Sequence, residues 1–167
     1  MTRIITLLLA FFLVSNTFAQ KKNILSKHDI KVQKIILSEK AVIRGIDFYI
    51  TKDVLKKLEK AKLEAETKSS LIYKVDVGDG DYADIIYQID DKNKVSGFTI
   101  AFILKNKSQE DNLMTDLKNY YTERYGDFFT DDKGDVFWIS KEDYKIEMSD
   151  SSSDGQTEIE IEYISSK

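Results

Sequence analysis

Thr157-Glu158-Ile159-Glu160-Ile161-Glu162-Tyr163-Ile164 sets apolar Ile159, Ile161 and Tyr163 against Glu158, Glu160 and Glu162 in strict alternation. Successive side chains of a strand point to opposite faces, so this stretch reads as a strand with one buried and one wet, acidic face. Such a strand belongs to an antiparallel sheet covered on one side only. Working back along the chain, Tyr144 to Asp150 repeats the pattern, with Ile146 and Met148 against Lys145 and Glu147. Asp135 to Ser140 is a third strand-like run, and Lys141-Glu142-Asp143 and Asp150-Ser-Ser-Ser-Asp-Gly155 are the intervening turns.

Before these runs the period changes to that of a helix. Leu113, Met114, Leu117, Tyr120 and Tyr121 form one stripe, Ser108 with Asp111 carries the capping signature, and Gly126 supplies a left-handed stop. The same order occurs earlier. Val54, Leu55, Leu58, Ala61 and Ala65 make a helical stripe opened by Thr51 and Asp53. The runs Leu71 to Val77, Tyr82 to Asp90 and Val95 to Leu104 follow it, divided by Gly78-Asp79-Gly80-Asp81 and Asp91-Lys92-Asn93-Lys94. An offset of 59 carries Val54, Leu55, Leu58 and Ala61 onto Leu113, Met114, Leu117 and Tyr120; one of 61 carries Ile85, Tyr87, Ile100 and Phe102 onto Ile146, Met148, Ile161 and Tyr163. The expected fold is therefore α+β: two αβββ units, residues 41–106 and 107–165, with helices packed on one face of an antiparallel sheet. A single domain spans 41–167. Residues 20–40 read as a leader or linker, Ile30 to Leu37 as strand or helix, and Ala41 to Ile50 as a strand interrupted at Gly45, with a strand near Phe48.

Residues 1–19 have the layout of a signal peptide: Arg3, an apolar run from Ile4 to Val14, and Ser15-Asn16-Thr17-Phe18-Ala19 leading to a cut before Gln20. The run is shorter than the ~20 apolar residues of a membrane span. The mature chain is expected to be exported, periplasmic or secreted, and to carry no lipid on a first-residue Cys, because Gln20 stands there. The sequence of 167 residues has no Cys, so the core must supply its stability without disulfides. Residues 20–108 hold 18 Lys/Arg against 13 Asp/Glu and residues 109–167 hold 6 against 16. A net acidic chain of this kind is a poor fit to nucleic acid.

Chemistry-bearing patterns are sparse. His28, the one imidazole, lies in the charged stretch Lys27-His28-Asp29 and reads as solvated, so no His-based triad or His-rich metal site can be assembled. Asp76-Val-Gly-Asp79-Gly-Asp81-Tyr-Ala-Asp84 places oxygens at alternate positions, but Ala83 and Asp84 break the EF-hand pattern and a hairpin turn accounts for it. Asp131-Asp132-Lys133-Gly134-Asp135 reads the same way. No catalytic residue, metal or cofactor is assigned. In the first unit, the face opposite the core presents Ile72, Lys74, Ile86, Gln88, Thr99, Ala101 and Ile103, and Phe137 or Trp138 must also point away from the core. A half-apolar face where water is expected calls for a cover or a partner. Residues 24–50, another protein, or a small apolar ligand are the alternatives; the candidate partner surface is Ile72, Lys74, Ile86, Thr99, Ala101, Ile103 and Trp138.

Arg44-Gly45-Ile46, then Thr51-Lys52-Asp53-Val54 opening a helix, then strands ending in Ile85-Ile86-Tyr87-Gln88-Ile89-Asp90-Asp91-Lys92-Asn93-Lys94-Val95, resembles the helix-then-meander units of the β-lactamase-inhibitor-protein-like group, which includes PepSY-like domains. Tyr125-Gly126-Asp127 stands at the helix end of a second such unit. The resemblance covers residues 44–164, lies in element order, and implies the architecture and a protein-binding role. The expectation is a non-enzymatic protein- or peptide-binding domain of a bacterial-type envelope or the extracellular space; an envelope hydrolase with paired carboxylates, or a purely structural envelope component, are the rival readings.

Overall fold

Of the two alternatives open for Ile30 to Leu37, strand or helix, the structure has the helix. The computed structural model describes residues 23–166 and opens with a single 3-10 turn, Leu25–Lys27, followed by α1, Ile30–Ile36. Asp29 caps α1 by accepting the Lys31 N–H at 2.7 Å, and Leu37, at φ 55°, ends it. Leu25, Val32, Ile35 and Ile36 are buried in the main core, so this segment is part of the folded body and not a linker. The expected signal segment, 1–19, lies outside the described residues. No helix among the described residues is long and apolar enough to cross a membrane.

Residues 41–50 form no strand, contrary to expectation. Arg44 and Gly45 both adopt left-handed φ, 53° and 78°, and double the chain back so that Ile43 and Ile46 exchange backbone hydrogen bonds. Phe48 lies in a turn, its ring 4.8 Å from Phe98.

The second helix, α2, is Lys52–Leu58, shorter than its stripe of apolar residues. Thr51 is at its N-cap without a side-chain capping bond, and only Leu55 is buried; Val54 and Leu58 are 42% and 48% exposed. The reason is Glu59. Its carboxylate turns into the core, where it accepts the Lys60 and Ala61 N–H groups at 2.7 Å and holds Arg44 through two bonds. The chain leaves the helix there, and Ala65, expected to be helical, lies in strand β1.

Eight strands follow in two meanders: β1 (Lys62–Glu66), β2 (Ser70–Gly78), β3 (Asp81–Ile89) and β4 (Val95–Leu104), then, after α3 (Lys107–Tyr125), β5 (Phe129–Thr130), β6 (Val136–Ile139), β7 (Tyr144–Asp150) and β8 (Thr157–Ser165). They build one antiparallel sheet in the order β1-β2-β3-β4-β8-β7-β6-β5, so the two meanders meet where β4 pairs with β8. Helices α2 and α3 are thus each followed by four strands instead of three, β1 and the two-residue β5 being the additions. The α3 cap is Asn106, which accepts the Gln109 N–H at 3.0 Å, in place of Ser108; Gly126 ends the helix at φ 94° as its position implied.

All three helices and residues 41–50 pack on one face of the sheet. Leu113, Leu117, Tyr120 and Tyr121 of α3 are buried against strand residues such as Ile161, Tyr163 and Trp138, and Ile43 and Ile46 join the same cluster. This leaves the opposite face without a covering element among the described residues.

Candidate functional site

Strand alternation and register determine what the uncovered face presents. One row runs across all eight strands: Ala65, Ile72, Ile86, Thr99, Glu162, Glu147, Phe137 and Phe129. The next contains Lys74, Asp84, Ala101, Glu160 and Ser149, and a third Asp76, Tyr82, Ile103 and Glu158. The face therefore has an apolar field on β2 to β4, a glutamate column on β8 and an aromatic margin on β5 and β6.

Six of the seven residues expected at the surface, Ile72, Lys74, Ile86, Thr99, Ala101 and Ile103, stand on this face. Trp138 does not. It is fully buried, with its ring centroid 5.1 Å from that of Tyr121, and its indole N–H donates to Thr122 at 3.3 Å. Val136 and Trp138 stand opposite the core residues Met148 and Ile146, so the pleat turns the intervening Phe137 outward instead. Phe137 stacks on Phe129 at 5.4 Å, and the Lys145 ammonium lies 5.6 Å from its ring. Of the pair Phe137 and Trp138, the member on the open face is therefore Phe137, which is half-buried there.

A trough runs along β4. Its outward residues in sequence are Gly97, Thr99, Ala101 and Ile103, three of them small, between taller side chains on β3 and β8. Thr99 and Ala101 are only 6% and 8% exposed although no element among the described residues covers them. Gln88 lies over Gly97, where a Cβ would collide with it, and closes one end.

Two carboxyls beside the trough are held above their usual range. For Glu160 the cause is burial, followed by repulsion from Glu162 and Glu158. For Asp84 it is again burial, which outweighs the opposing Lys74 charge. Asp84 Oδ1 has no hydrogen-bond partner among the described residues, and the Lys74 ammonium lies 3.9 Å over the Tyr82 ring. Lys145 pairs with Glu147, whereas Glu158, Glu160 and Glu162 take part in no ion pair among the described residues. Sequence reading assigned Asp84 to the acidic turn. Its place on the open face follows from parity with Lys74 and Ile86 once the β2–β3 register is known.

The other chemistry-bearing groups have structural partners. His28 is buried, not solvated: Nδ1 is 2.9 Å from Asp116, and the ring meets Tyr120 edge-on at 5.3 Å. Asp81 and Asp79 of the turn once compared with a calcium loop bind Lys31 at 2.9 and 3.2 Å. Carboxylate oxygens of Asp131, Asp135 and Glu147 lie within 4.8 Å of one another, but Asp131 already accepts the Lys133 and Asp135 N–H groups and Glu147 pairs with Lys145. A cleft of about 500 Å³ is lined by Arg124, Tyr125, Tyr144 and Glu142, and one of about 410 Å³ by Lys31, Asp79 and Asp116. Asp84 and Glu160 line neither.

Comparison with family models, curated proteins and solved structures gives no match to any of them.

Proposed function

We propose that the chain is an exported, non-enzymatic binding domain that docks another protein or a peptide on the uncovered sheet face. The observation that carries this reading is the one-sided packing: every helix among the described residues and residues 41–50 lie on the other face, leaving Ile72, Ile86 and Ile103 partly open to solvent at the sheet centre. Apolar side chains there would anchor a partner and the β8 glutamates would orient it. The resemblance to β-lactamase-inhibitor-protein-like and PepSY-like units belongs to the same proposal. In favour of two related units are the helix-then-meander order in each half and the direct pairing of Ile100 with Ile161, residues equated by the offset of 61. The rival hydrolase reading calls for converging acids in a deep cleft, and the two carboxyls held high stand on an open face.

The test is capture from an envelope extract by the mature protein, beside Ile86→Glu, Ile103→Glu and the helix-side control Lys118→Glu. Loss of a defined partner with the first two alone supports docking on this face. Equal retention by every version contradicts it. Export itself is tested by N-terminal sequencing of the released protein, expected to begin at Gln20.

A further inference from the structure

One apolar surface lies on the helix side and belongs neither to the core nor to the open face. Arg44 joins the C-terminal ends of α1 and α2. Its Nη1 donates to the Lys34 and Ile35 carbonyls at 2.8 and 3.3 Å, and its Nε and Nη2 donate to the Glu59 carboxylate at 2.8 and 2.9 Å. On the helices held by this joint, Leu37, Val54 and Leu58 stand 55%, 42% and 48% exposed. Val54 and Leu58 are one turn apart on the same flank of α2, the flank away from Lys52 and Lys56, which reach Glu66 of β1. The apolar stripe of α2 therefore serves the core through Leu55 alone and leaves the rest in solvent.

Cations are interleaved with these side chains. Lys34, Lys57 and Lys60 form no ion pair among the described residues. The carboxylate at the joint does not offset them, since Glu59 is buried and taken by Arg44, and Asp53 is the one acid of α2 itself. Lysine is depleted in the cores of protein–protein interfaces, whereas lysines beside protruding aliphatic side chains are the composition of surfaces that rest on anionic bilayers. On such a surface the aliphatic groups enter the headgroup boundary, and lysine stems follow them while the ammonium groups stay at the phosphates. The acidic β8 column stands on the opposite face of the sheet, so the same charge asymmetry turns Glu158, Glu160 and Glu162 away from an anionic surface.

We propose that the corner formed by the ends of α1 and α2 rests on an anionic lipid bilayer, with Leu37, Val54 and Leu58 at headgroup level and Lys57 and Lys60 against the lipid phosphates. This surface is separate from the open sheet face and leaves that face free for a partner.

The test is sedimentation of the chain from Gln20 onward, which contains the whole described core and lacks the expected signal segment, with lipid vesicles. The vesicles are phosphatidylcholine alone, or phosphatidylcholine with about one-third phosphatidylglycerol. Binding to the anionic vesicles is expected to exceed that to the neutral ones by at least ~10-fold and to fall as salt rises toward ~0.5 M. Lys57→Gln/Lys60→Gln should weaken it roughly 10-fold and Leu58→Gln about 5-fold, whereas Ile86→Gln/Ile103→Gln on the open face should leave it unchanged. Residues 57, 58 and 60 are all exposed, so circular dichroism of these corner variants should match wild type. Equal binding to the two kinds of vesicle, or binding that survives both corner variants, would overturn the proposal. Absence of binding would overturn it as well; if an acidic protein captured from an envelope extract were then lost with Lys57→Gln/Lys60→Gln, the corner would pass to a protein partner.

Discussion

Replacing Glu59 by glutamine should destabilise the protein by about 3 kcal/mol at neutral pH and remove much of its acid sensitivity. Burial alone would raise the Glu59 pKa, but Arg44 Nε at 2.8 Å and Nη2 at 2.9 Å, the Tyr87 hydroxyl at 2.5 Å and the Ala61 N–H overcome that and hold it at about 2 against an ordinary 4.5. At ~1.36 kcal/mol per pH unit this difference corresponds to roughly 3 kcal/mol of linkage between ionisation and folding. The folded-state pKa is depressed, so the contribution is complete above pH 4.5 and disappears as pH falls toward 2. Removing one member of a buried ion pair independently costs ~3–5 kcal/mol, because Arg44, though still bonded to the Lys34 and Ile35 carbonyls, is left charged in the core without a counter-ion. The assay is urea unfolding of wild type and Glu59→Gln at intervals from pH 7 to pH 2.5. The wild type should lose stability more steeply than the variant between pH 4.5 and 2.5, and the two curves should converge at the acid end. Parallel curves would refute the argument, since they would mean that Glu59 titrates alike in folded and unfolded chains. Arg44→Met/Glu59→Leu should recover part of the loss, as apolar replacements of buried pairs do.

Other consequences are smaller in scope. Trp138→Ala should cost ~3–5 kcal/mol in urea melts by opening a cavity beneath α3, whereas Phe137→Ala, on the open face, should cost under about 1 kcal/mol. The Tyr121 and Tyr163 hydroxyls, 2.5 Å apart and fully buried, partner each other, so either Tyr→Phe change should cost ~1–2 kcal/mol. The double Tyr121→Phe/Tyr163→Phe variant should be closer to wild type than the sum, giving a clear coupling in a double-mutant cycle. Ile103→Glu should leave the unfolding free energy from urea melts within roughly 1 kcal/mol of wild type, because it replaces a side chain already partly in contact with solvent.

Where the sequence was legible, each element's pattern matched its packing. Val95–Leu104 and Tyr144–Asp150 coincide with their expected bounds because alternation and turn residues such as Asn93 and Asp143, both at left-handed φ, mark their ends. The α3 stripe held because Leu113, Leu117, Tyr120 and Tyr121 all face the sheet. The α2 stripe misled because a tertiary contact, Arg44 to Glu59, overrides local period after Leu58. No window of sequence shows that two charged residues 15 apart will pair in a core. Trp138 was misplaced by one residue of strand parity, an error that exchanges core for solvent. His28 looked solvated because its charged neighbours are local, while Asp116 and Tyr120, which bury it, are distant in sequence.

The uncovered sheet face is accessible to a direct measurement, since the sequence contains no Cys. Cysteines introduced one at a time as Ile86→Cys, Ile103→Cys and, for the core, Ile100→Cys would be challenged with a maleimide in the isolated native protein. Rates at 86 and 103 far above that at 100, which should be strongly protected, are what the account predicts. Protection at 86 and 103 comparable to that at 100 would mean that something covers the face, and would contradict it.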